Sequence, residues 1–195
     1  MPRKPRAEEL NTIYHILNRA NARMKICFTC EDYEMIENTL FEAKIKFDIN
    51  IYTYCIMSNH FHLLLSGNKE GEIQKFMHWF TSIQTQRWHK IHNTSGTGHL
   101  YQGRYKMFKV DNEKYFFTVL RYIEQNPIKA KITQTIGEWK YSASHLLLNS
   151  NIEIQKTITF LDGMNKDYYI RLCSLSVSEN EILMISDYFD NQEFL

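Results

Sequence analysis

The sequence lacks the long apolar runs of membrane proteins and the cysteines of small secreted domains. No apolar run approaches the ~20 residues of a membrane-spanning helix. The basic start, MPRKPR, is not followed by the apolar stretch of a signal peptide. Four cysteines at irregular spacing do not make a disulfide framework. We therefore expect a cytoplasmic protein with no membrane partner.

Net charge is also nearly absent, but the charges are unevenly distributed. The formal net charge is +1, whereas residues 178–195 carry five acidic side chains and no Lys or Arg, which leaves +6 on residues 1–177. A basic body with an acidic tail weakly indicates a protein that binds a polyanion. The length is sufficient for one domain with a substantial core, with or without a tail.

Cys27 and Cys30 form a CxxC between a predicted strand and a predicted helix, where a thioredoxin-type motif would lie. A zinc site would require a second close pair of ligands, and none follows in the sequence. We interpret this CxxC as incidental. A thiol redox protein remains a minor hypothesis that depends on an activated thiol.

Hydrophobic periodicity predicts the element order β-α-β-β-α-β-α, followed by a less periodic region from residue 128 onward. This order is typical of an α+β fold: a ferredoxin-like or RRM-like four-stranded antiparallel sheet with helices on one face, plus a C-terminal extension. The predicted strands cover residues 12–18, 48–57, 60–66 and 105–110, and the predicted helices cover residues 29–47, 73–91 and 112–125.

Two histidines, His60 and His62, lie one residue apart in the apolar segment YCIMSNHFHLLL. Side chains two residues apart on a strand point to the same face, so the two imidazoles are directed together. The apolar neighbours predict a buried strand, and burial of unpartnered imidazoles is costly. A metal-binding or catalytic role is therefore favoured over two structural or surface histidines.

The motif RYIEQNP, at the end of the third predicted helix, contains Tyr122 and Asn126. Residues four apart share a helix face, so a phenol and a carboxamide would lie one turn apart. A tyrosine nucleophile could attack a phosphodiester that a Mg²⁺ or Mn²⁺ ion polarises. A half-buried aromatic and a helix cap before proline are the simpler interpretations of each residue alone. Together with the histidine pair, an active site becomes a competitive hypothesis.

Four motifs occur in a characteristic order and at characteristic separations: YHILNR from Tyr14, MSNHFH from Met57, GHLYQGR from Gly98 and RYIEQNP from Arg121. In these motifs the sequence resembles the REP-associated tyrosine transposases, a branch of the single-tyrosine HUH transposases. The MPRKPR start and the segment WKYSAS are also similar to that branch. The resemblance implies an HUH tyrosine transposase domain at residues 1–145 and leaves 146–195 as a C-terminal extension of unknown role.

The resemblance implies the same four-stranded sheet and a metal-dependent enzyme that cleaves and rejoins single-stranded DNA, usually hairpins of palindromic repeats. It implies that His60 and His62 hold a divalent metal, Mg²⁺ or Mn²⁺. It also implies that Tyr122 is the catalytic nucleophile, which leaves a 5′-phosphotyrosine and a free 3′-hydroxyl. Asn126 falls at the family's position for a third metal ligand.

The sequence departs from the family pattern at two places. Ser58 stands where the family commonly has proline, and Glu124 or Gln125 stands where it has histidine or another residue. Neither difference removes a catalytic group. Because both side chains carry oxygen, Gln125 and Glu124 remain alternatives to Asn126 as the third ligand.

Basic and aromatic side chains near these motifs are candidates for DNA contact. Proteins that bind single strands combine cations on the phosphates with aromatic rings on the bases. For each basic residue alone, solvated surface charge is the simpler interpretation. The candidates are Arg19, Arg23, Lys25, Tyr101, Arg104, Tyr105 and Lys106.

Two functional classes and two assembly states remain open from the sequence. The alternative to a transposase is a non-catalytic hairpin DNA- or RNA-binding protein derived from one. The chain could act as a monomer or as a homodimer in which Tyr122 serves the partner's histidines. Neither the target sequence nor the native metal follows from the motifs.

Overall fold

A computed structural model describes residues 8–10 and 12–191, with the side chains of 186–191 excluded. The basic start and the last residues of the acidic tail lie outside this part of the chain. The strands are β1 (Ile13–Arg19), β2 (Ile49–Ile56), β3 (His60–Gly67) and β4 (Lys106–Lys109). The helices are α1 (Cys30–Lys46), α2 (Glu72–Ile91), α3 (Glu113–Glu124), α4 (Asn126–Lys129), α5 (Ala143–Asn149), α6 (Ile152–Gln155), α7 (Lys166–Cys173) and α8 (Glu179–Asn191), with one 3₁₀ turn at Asn21–Arg23.

The four strands form one antiparallel sheet in the order β2-β3-β1-β4. In its register, Arg19 of β1 lies opposite His60 of β3, and Leu17 lies opposite His62. The predicted α+β fold with a four-stranded antiparallel sheet is confirmed. Each strand begins and ends within about two residues of its predicted bounds.

Side-chain caps start α1 and α3 where the sequence predicts. The Asp32 carboxylate accepts hydrogen bonds from the backbone N–H groups of Phe28 and Thr29, at 2.8 and 3.0 Å, at the start of α1. Asn112 Oδ1 accepts the N–H of Tyr115 at 2.9 Å, at the start of α3. These contacts satisfy donors that the first turn of a helix leaves without partners.

Helices cover both faces of the sheet, which differs from the expected placement on one face. The Phe61 ring packs on Phe80 of α2, with ring centroids 5.2 Å apart, whereas the adjacent His62 ring meets Tyr122 of α3 at 5.7 Å. Successive residues of a strand point to opposite faces. Helices α1 and α2 pack together on the first face, so the apolar side of α3 is buried on the second.

A β-bulge in β2 directs two successive residues toward α3. The pairing with β3 shifts register between Ile51 and Thr53. As a result, the Tyr52 ring contacts Phe116 and the Thr53 hydroxyl donates to Glu124, both on α3. A bulge adds one residue to a strand and redirects nearby side chains. The bulge therefore ties β2 to the helix that carries Tyr122.

The C-terminal residues pack against the sheet and α3. The predicted boundary after residue 145 falls inside α5. The backbone N–H of Thr159 donates to the carbonyl of Ile51 at 2.7 Å, and Tyr169 donates to Glu124 at 2.8 Å. None of the helices in the described residues is long and apolar enough to cross a membrane.

Candidate active site

His60 and His62 lie side by side at the start of β3, as their spacing predicts. Their ring centroids are 5.0 Å apart and the rings are nearly perpendicular. His62 is 2% exposed, whereas His60, at the first residue of the strand, is partly exposed. The pair therefore combines one buried imidazole with one at the mouth of the site.

Each of these histidines is oriented by a contact at Nδ1. His60 Nδ1 donates to Asn59 Oδ1 at 2.6 Å, and His62 Nδ1 lies 2.9 Å from His15 Nε2. Within residues 8–10 and 12–191, no hydrogen bond involves Nε2 of His60 or His62. Metal-binding histidines commonly use one ring nitrogen for the metal and the other for an orienting hydrogen bond. Both Nε2 atoms are thus available as ligands.

His15 is a third histidine of the site, and the sequence analysis did not select it. It is fully buried on β1, and its ring stacks on that of His62 with centroids 5.1 Å apart. The only sequence signal was its position in the YHILNR motif. A single histidine in an apolar strand is otherwise indistinguishable from a structural one, because strand pairing is what brings it to His62.

The three imidazoles are neutral at pH 7. Burial lowers the pKa of His15 from 6.5 to about 3. Burial, helped by the nearby charge of Arg19, lowers the pKa of His60 to about 4. The pKa of His62 lies well below its usual value, first because of burial and then because of His60 and His15. Neutral imidazole is the form that binds a metal.

Tyr122 in the last turn of α3 meets the histidines of its own chain. Its ring centroid is 5.7 Å from that of His62 and 6.3 Å from that of His15. The ammonium group of Lys129 lies 4.5 Å from the centroid of the tyrosine ring. Burial raises the pKa of the Tyr122 phenol, and the charge of Arg19 opposes this shift. The phenol is therefore protonated at neutral pH.

Asn126, one turn after Tyr122, folds its amide group back onto α3. Its Nδ2 donates to the carbonyls of Tyr122 at 2.8 Å and Ile123 at 3.4 Å. No described residue donates a hydrogen bond to its Oδ1. The amide oxygen is therefore compatible with the expected role as a ligand.

The two alternatives to Asn126 have other partners. Gln125 Nε2 donates to the carbonyls of Cys173 and Leu175, at 2.9 and 2.6 Å. The carboxylate of Glu124 is buried and accepts three side-chain hydroxyl groups: Thr53, Ser144 and Tyr169. Both side chains are therefore engaged in contacts outside the proposed metal site.

The donor set fits a divalent metal, although a complete protein cage is absent from the described part of the chain. No group of three or more His, Cys, Asp or Glu side chains suited to a metal occurs there. His60 and His62 would supply two nitrogens, and Asn126 an amide oxygen. Two imidazoles suit Mn²⁺ better than Mg²⁺, which prefers oxygen ligands.

The basic DNA-contact candidates lie at the surface or beside the histidines. Arg19 is partly buried, and its charge acts on His60, His62 and Tyr122. The other four are exposed: Arg23, Lys25, Arg104 and Lys106.

Tyr101 and Tyr105, expected as stacking residues, are placed in the core instead. Each is 8% exposed, and the Tyr101 ring packs against Phe61 with centroids 5.9 Å apart. A base cannot stack on a ring whose faces are already covered. Both rings instead contribute buried aromatic area to the core.

The CxxC shows no sign of activation. Cys27 and Cys30 are free thiols, and Cys27 is buried. Burial, reinforced by the charge of Asp32, raises the pKa of the Cys27 thiol. A redox-active thiol requires a lowered pKa, so the thiol redox hypothesis gains no support.

Comparisons with known proteins identify a family and a similar fold. The family model described as "Transposase IS200 like" matches residues 9–126, a range that contains the three histidines and Tyr122 and ends at Asn126. No curated protein matches the chain at a significant level.

Three solved structures are similar to the chain. A REP-associated tyrosine transposase bound to a REP hairpin is 15% identical, with a TM-score of 0.63, over 85% of this chain and 94% of that chain. A transposase structure from Deinococcus radiodurans R1 is 18% identical, with a TM-score of 0.45, over 64% of this chain and 97% of that chain. The tRNA(His) guanylyltransferase of Saccharomyces cerevisiae is 12% identical, with a TM-score of 0.44, over 96% and 85%. The first of these likenesses shows a shared fold.

Proposed function

The chain belongs to the family of IS200-like transposases, and from this premise we propose that it cleaves and rejoins single-stranded DNA by a metal-dependent reaction at Tyr122. One observation carries the proposal. The Tyr122 ring lies 5.7 Å from that of His62, next to a pair of imidazoles with available Nε2 atoms. A nucleophile and a metal platform are the two parts that the reaction requires.

His60 and His62 would hold the divalent metal through Nε2, with Asn126 Oδ1 as a further ligand. When bound, the metal would polarise a phosphodiester oxygen and stabilise the charge that develops on it. The neutral state of both histidines supports this role, since a protonated imidazole has no lone pair for a metal.

Tyr122 supplies the nucleophile. Its phenol oxygen attacks phosphorus, the bond from phosphorus to the 3′ oxygen breaks, and the phenol proton is balanced by the proton on the departing 3′-hydroxyl. The products are a 5′-phosphotyrosine and a free 3′-hydroxyl. One phosphodiester replaces another, so attack by a 3′-hydroxyl reverses the step and rejoins the strand. The charge of Arg19 opposes the burial that raises the pKa of the phenol, and so favours deprotonation of the phenol during attack.

The proposed substrate is a single strand that folds into a hairpin. The similar transposase structure is bound to a REP hairpin, and we extend the same class of substrate to this chain. Exposed cations flank the site and would bind the phosphates: Arg23, Lys25, Arg104 and Lys106, with Arg19 nearest the histidines.

Incubation with labelled hairpin single strands and Mn²⁺ or Mg²⁺ tests the proposal on a denaturing gel. We expect a covalent protein–DNA adduct that Tyr122→Phe abolishes, with the fold retained because only a hydroxyl is lost. Absence of an adduct across a hairpin library, or an adduct that persists in Tyr122→Phe, would refute the proposal.

The alternative is a non-catalytic protein that binds hairpin DNA or RNA. It predicts binding that survives metal chelation and Tyr122→Phe, with no cleavage in the unmodified chain. The close approach of Tyr122 to His62 favours the enzyme, because binding alone has no need of that arrangement.

A further inference from the structure

The last turn of α3, which carries Tyr122, is held by the C-terminal part of the chain. Three side chains flank the tyrosine: Arg121, Glu124 and Gln125. Each bonds to residues between Ser144 and Glu181, whereas the Tyr122 ring faces His62. Residues 144–181 are called the C-terminal clamp below.

Arg121 joins α3 to the start of α8. Its Nη1 donates to the carbonyl of Ser176 at 2.9 Å, and its Nη2 donates to Glu181 Oε1 at 2.5 Å. Both side chains of this ion pair are mostly buried. Thr118, one turn earlier on α3, donates to the same Glu181 oxygen at 3.2 Å. Partial burial and a second donor make this pair stronger than an isolated surface ion pair.

Gln125 joins α3 to the end of α7. Its amide donates to the carbonyls of Cys173 and Leu175. The carbonyls at the end of a helix have no helical partner and need donors from elsewhere. The side chain immediately after α3 supplies a donor to Cys173, the last residue of α7, and also to Leu175 just beyond it.

Glu124 joins α3 to three further elements. Its carboxylate accepts the hydroxyl groups of Tyr169 at 2.8 Å, Ser144 at 2.5 Å and Thr53 at 2.5 Å. These donors lie on α7, α5 and β2. A fully satisfied buried polar group fixes the arrangement of its neighbours, because breaking any contact leaves a polar atom without a partner.

We propose that the C-terminal clamp is a positioning device that keeps Tyr122 at the histidines of its own chain. The proposal rests on the proposed function, because the placement of Tyr122 affects a rate only where Tyr122 is the nucleophile. Misplacement of a reacting group by about 1 Å can lower a rate about 100-fold. A clamp around the tyrosine prevents such displacement and disfavours exchange of this turn with a second copy.

Tyr169→Phe tests the clamp and Tyr54→Phe is its matched control. Each tyrosine is fully buried and donates its hydroxyl to a glutamate at 2.8 Å, Tyr169 to Glu124 and Tyr54 to Glu37. Glu37 lies on α1, across the sheet from Tyr122. The two substitutions remove the same chemical contact at different distances from the proposed nucleophile.

We expect Tyr169→Phe to lower the single-turnover rate of adduct formation about 10-fold to 100-fold, with unchanged affinity for Mn²⁺ and for the hairpin. Tyr54→Phe should leave the rate within about twofold of the unmodified chain, on the expectation that distant sites act independently. Glu181→Gln, which weakens the contact with Arg121, should act in the same direction as Tyr169→Phe.

Amide hydrogen exchange supplies a readout that is independent of DNA cleavage. Amides in peptides that cover residues 118–126 should exchange faster in Tyr169→Phe than in the unmodified chain. In Tyr54→Phe their exchange rate should be unchanged. The clamp would be overturned if both Tyr169→Phe and Glu181→Gln kept the adduct-formation rate and the amide exchange of the unmodified chain. It would also be overturned if Tyr54→Phe lost as much rate as Tyr169→Phe. If the unmodified chain forms no adduct, the proposed function fails, and the exchange measurement alone decides whether the clamp holds this turn.

A mixing experiment tests the own-chain part of the proposal. Tyr122→Phe retains the histidines, and His62→Ala retains the tyrosine. Because the clamp holds each tyrosine in its own chain, we expect no adduct from the mixture. Adduct formation by the mixture would show that a tyrosine reaches another chain's histidines and would overturn this part.

Discussion

His15 Nε2 lies 2.9 Å from His62 Nδ1, and the two rings stack with centroids 5.1 Å apart. One proton is shared across this contact. A metal at His62 Nε2 requires the proton at His62 Nδ1, and His15 Nε2 is then its acceptor. His15 can therefore accept the proton in the tautomer of His62 that the proposed metal site needs.

Substitution of His15 tests this orienting role. His15→Phe keeps a planar ring but removes the acceptor, so we expect Mn²⁺ affinity to fall about 10-fold to 100-fold, as for other lost orienting contacts of metal ligands. Calorimetric titration of the metal-free protein measures it. His89→Phe is the control, because His89 lies on α2 and its ring contacts Thr94, just after that helix. Unchanged affinity in His15→Phe would contradict the tautomer argument.

Acidification should destabilise the metal-free protein. The pKa of His15 falls from 6.5 to about 3 and that of His60 to about 4 on folding. Between pH 6.5 and about 4 the unfolded chain therefore binds more protons, and stability falls as the pH falls. Each unit of pKa difference corresponds to about 1.4 kcal/mol, so the loss is on the order of a few kcal/mol.

Urea unfolding at pH 7 and pH 5, with a chelator present, measures this loss. His15→Phe should lose less stability between the two pH values than the unmodified chain, since one buried imidazole is gone. The comparison isolates the histidine, because Glu124, whose pKa burial raises, is common to both proteins. An equal loss of stability in both proteins would mean that groups other than His15 cause the destabilisation at low pH.

Asn126 and Gln125 are neighbouring amides with different surroundings. Asn126→Ala should weaken Mn²⁺ binding, because it removes an amide oxygen that no described residue uses as a hydrogen-bond acceptor. Gln125→Ala should leave Mn²⁺ affinity unchanged, because that amide contacts the carbonyls of Cys173 and Leu175. The reverse result would assign the third ligand to Gln125.

Salt dependence of hairpin binding distinguishes phosphate contacts from core residues. Arg23→Gln and Lys25→Gln each remove an exposed cation, and each should lower the slope of log affinity against log salt by about 1. Tyr101→Phe should leave affinity and slope unchanged, because this tyrosine is buried against Phe61. A slope unaltered in both charge variants would exclude these residues from the DNA-binding surface.

Features that depend on neighbours in the chain were predictable. The bounds of β3 and α2 match their predictions closely, at His60–Gly67 and Glu72–Ile91, because apolar periodicity and capping residues are local. Tyr101 and Tyr105, predicted as candidates for stacking on DNA bases, are buried instead. An aromatic side chain is equally suited to the core and to a nucleic-acid surface, and only packing distinguishes the two.

The roles of Glu124 and Gln125 were not accessible from the sequence. Both carry oxygen atoms next to Asn126, so all three remained possible ligands. The tertiary structure gives Glu124 three hydroxyl donors and directs Gln125 to the end of α7. Contacts between residues 20 to 71 positions apart depend on how helices dock, which no local pattern specifies.

The sequence by itself determined that His60 and His62 share a face and that Tyr122 lies on a helix, because strand and helix geometry set these relations between near neighbours. Only the tertiary structure decided that α3 covers the face of the two histidines, that His15 completes their contacts and that the C-terminal residues hold the turn that carries Tyr122. These relations arise when separate apolar faces are buried against one another. The packing of the whole chain therefore determines which residues contact one another.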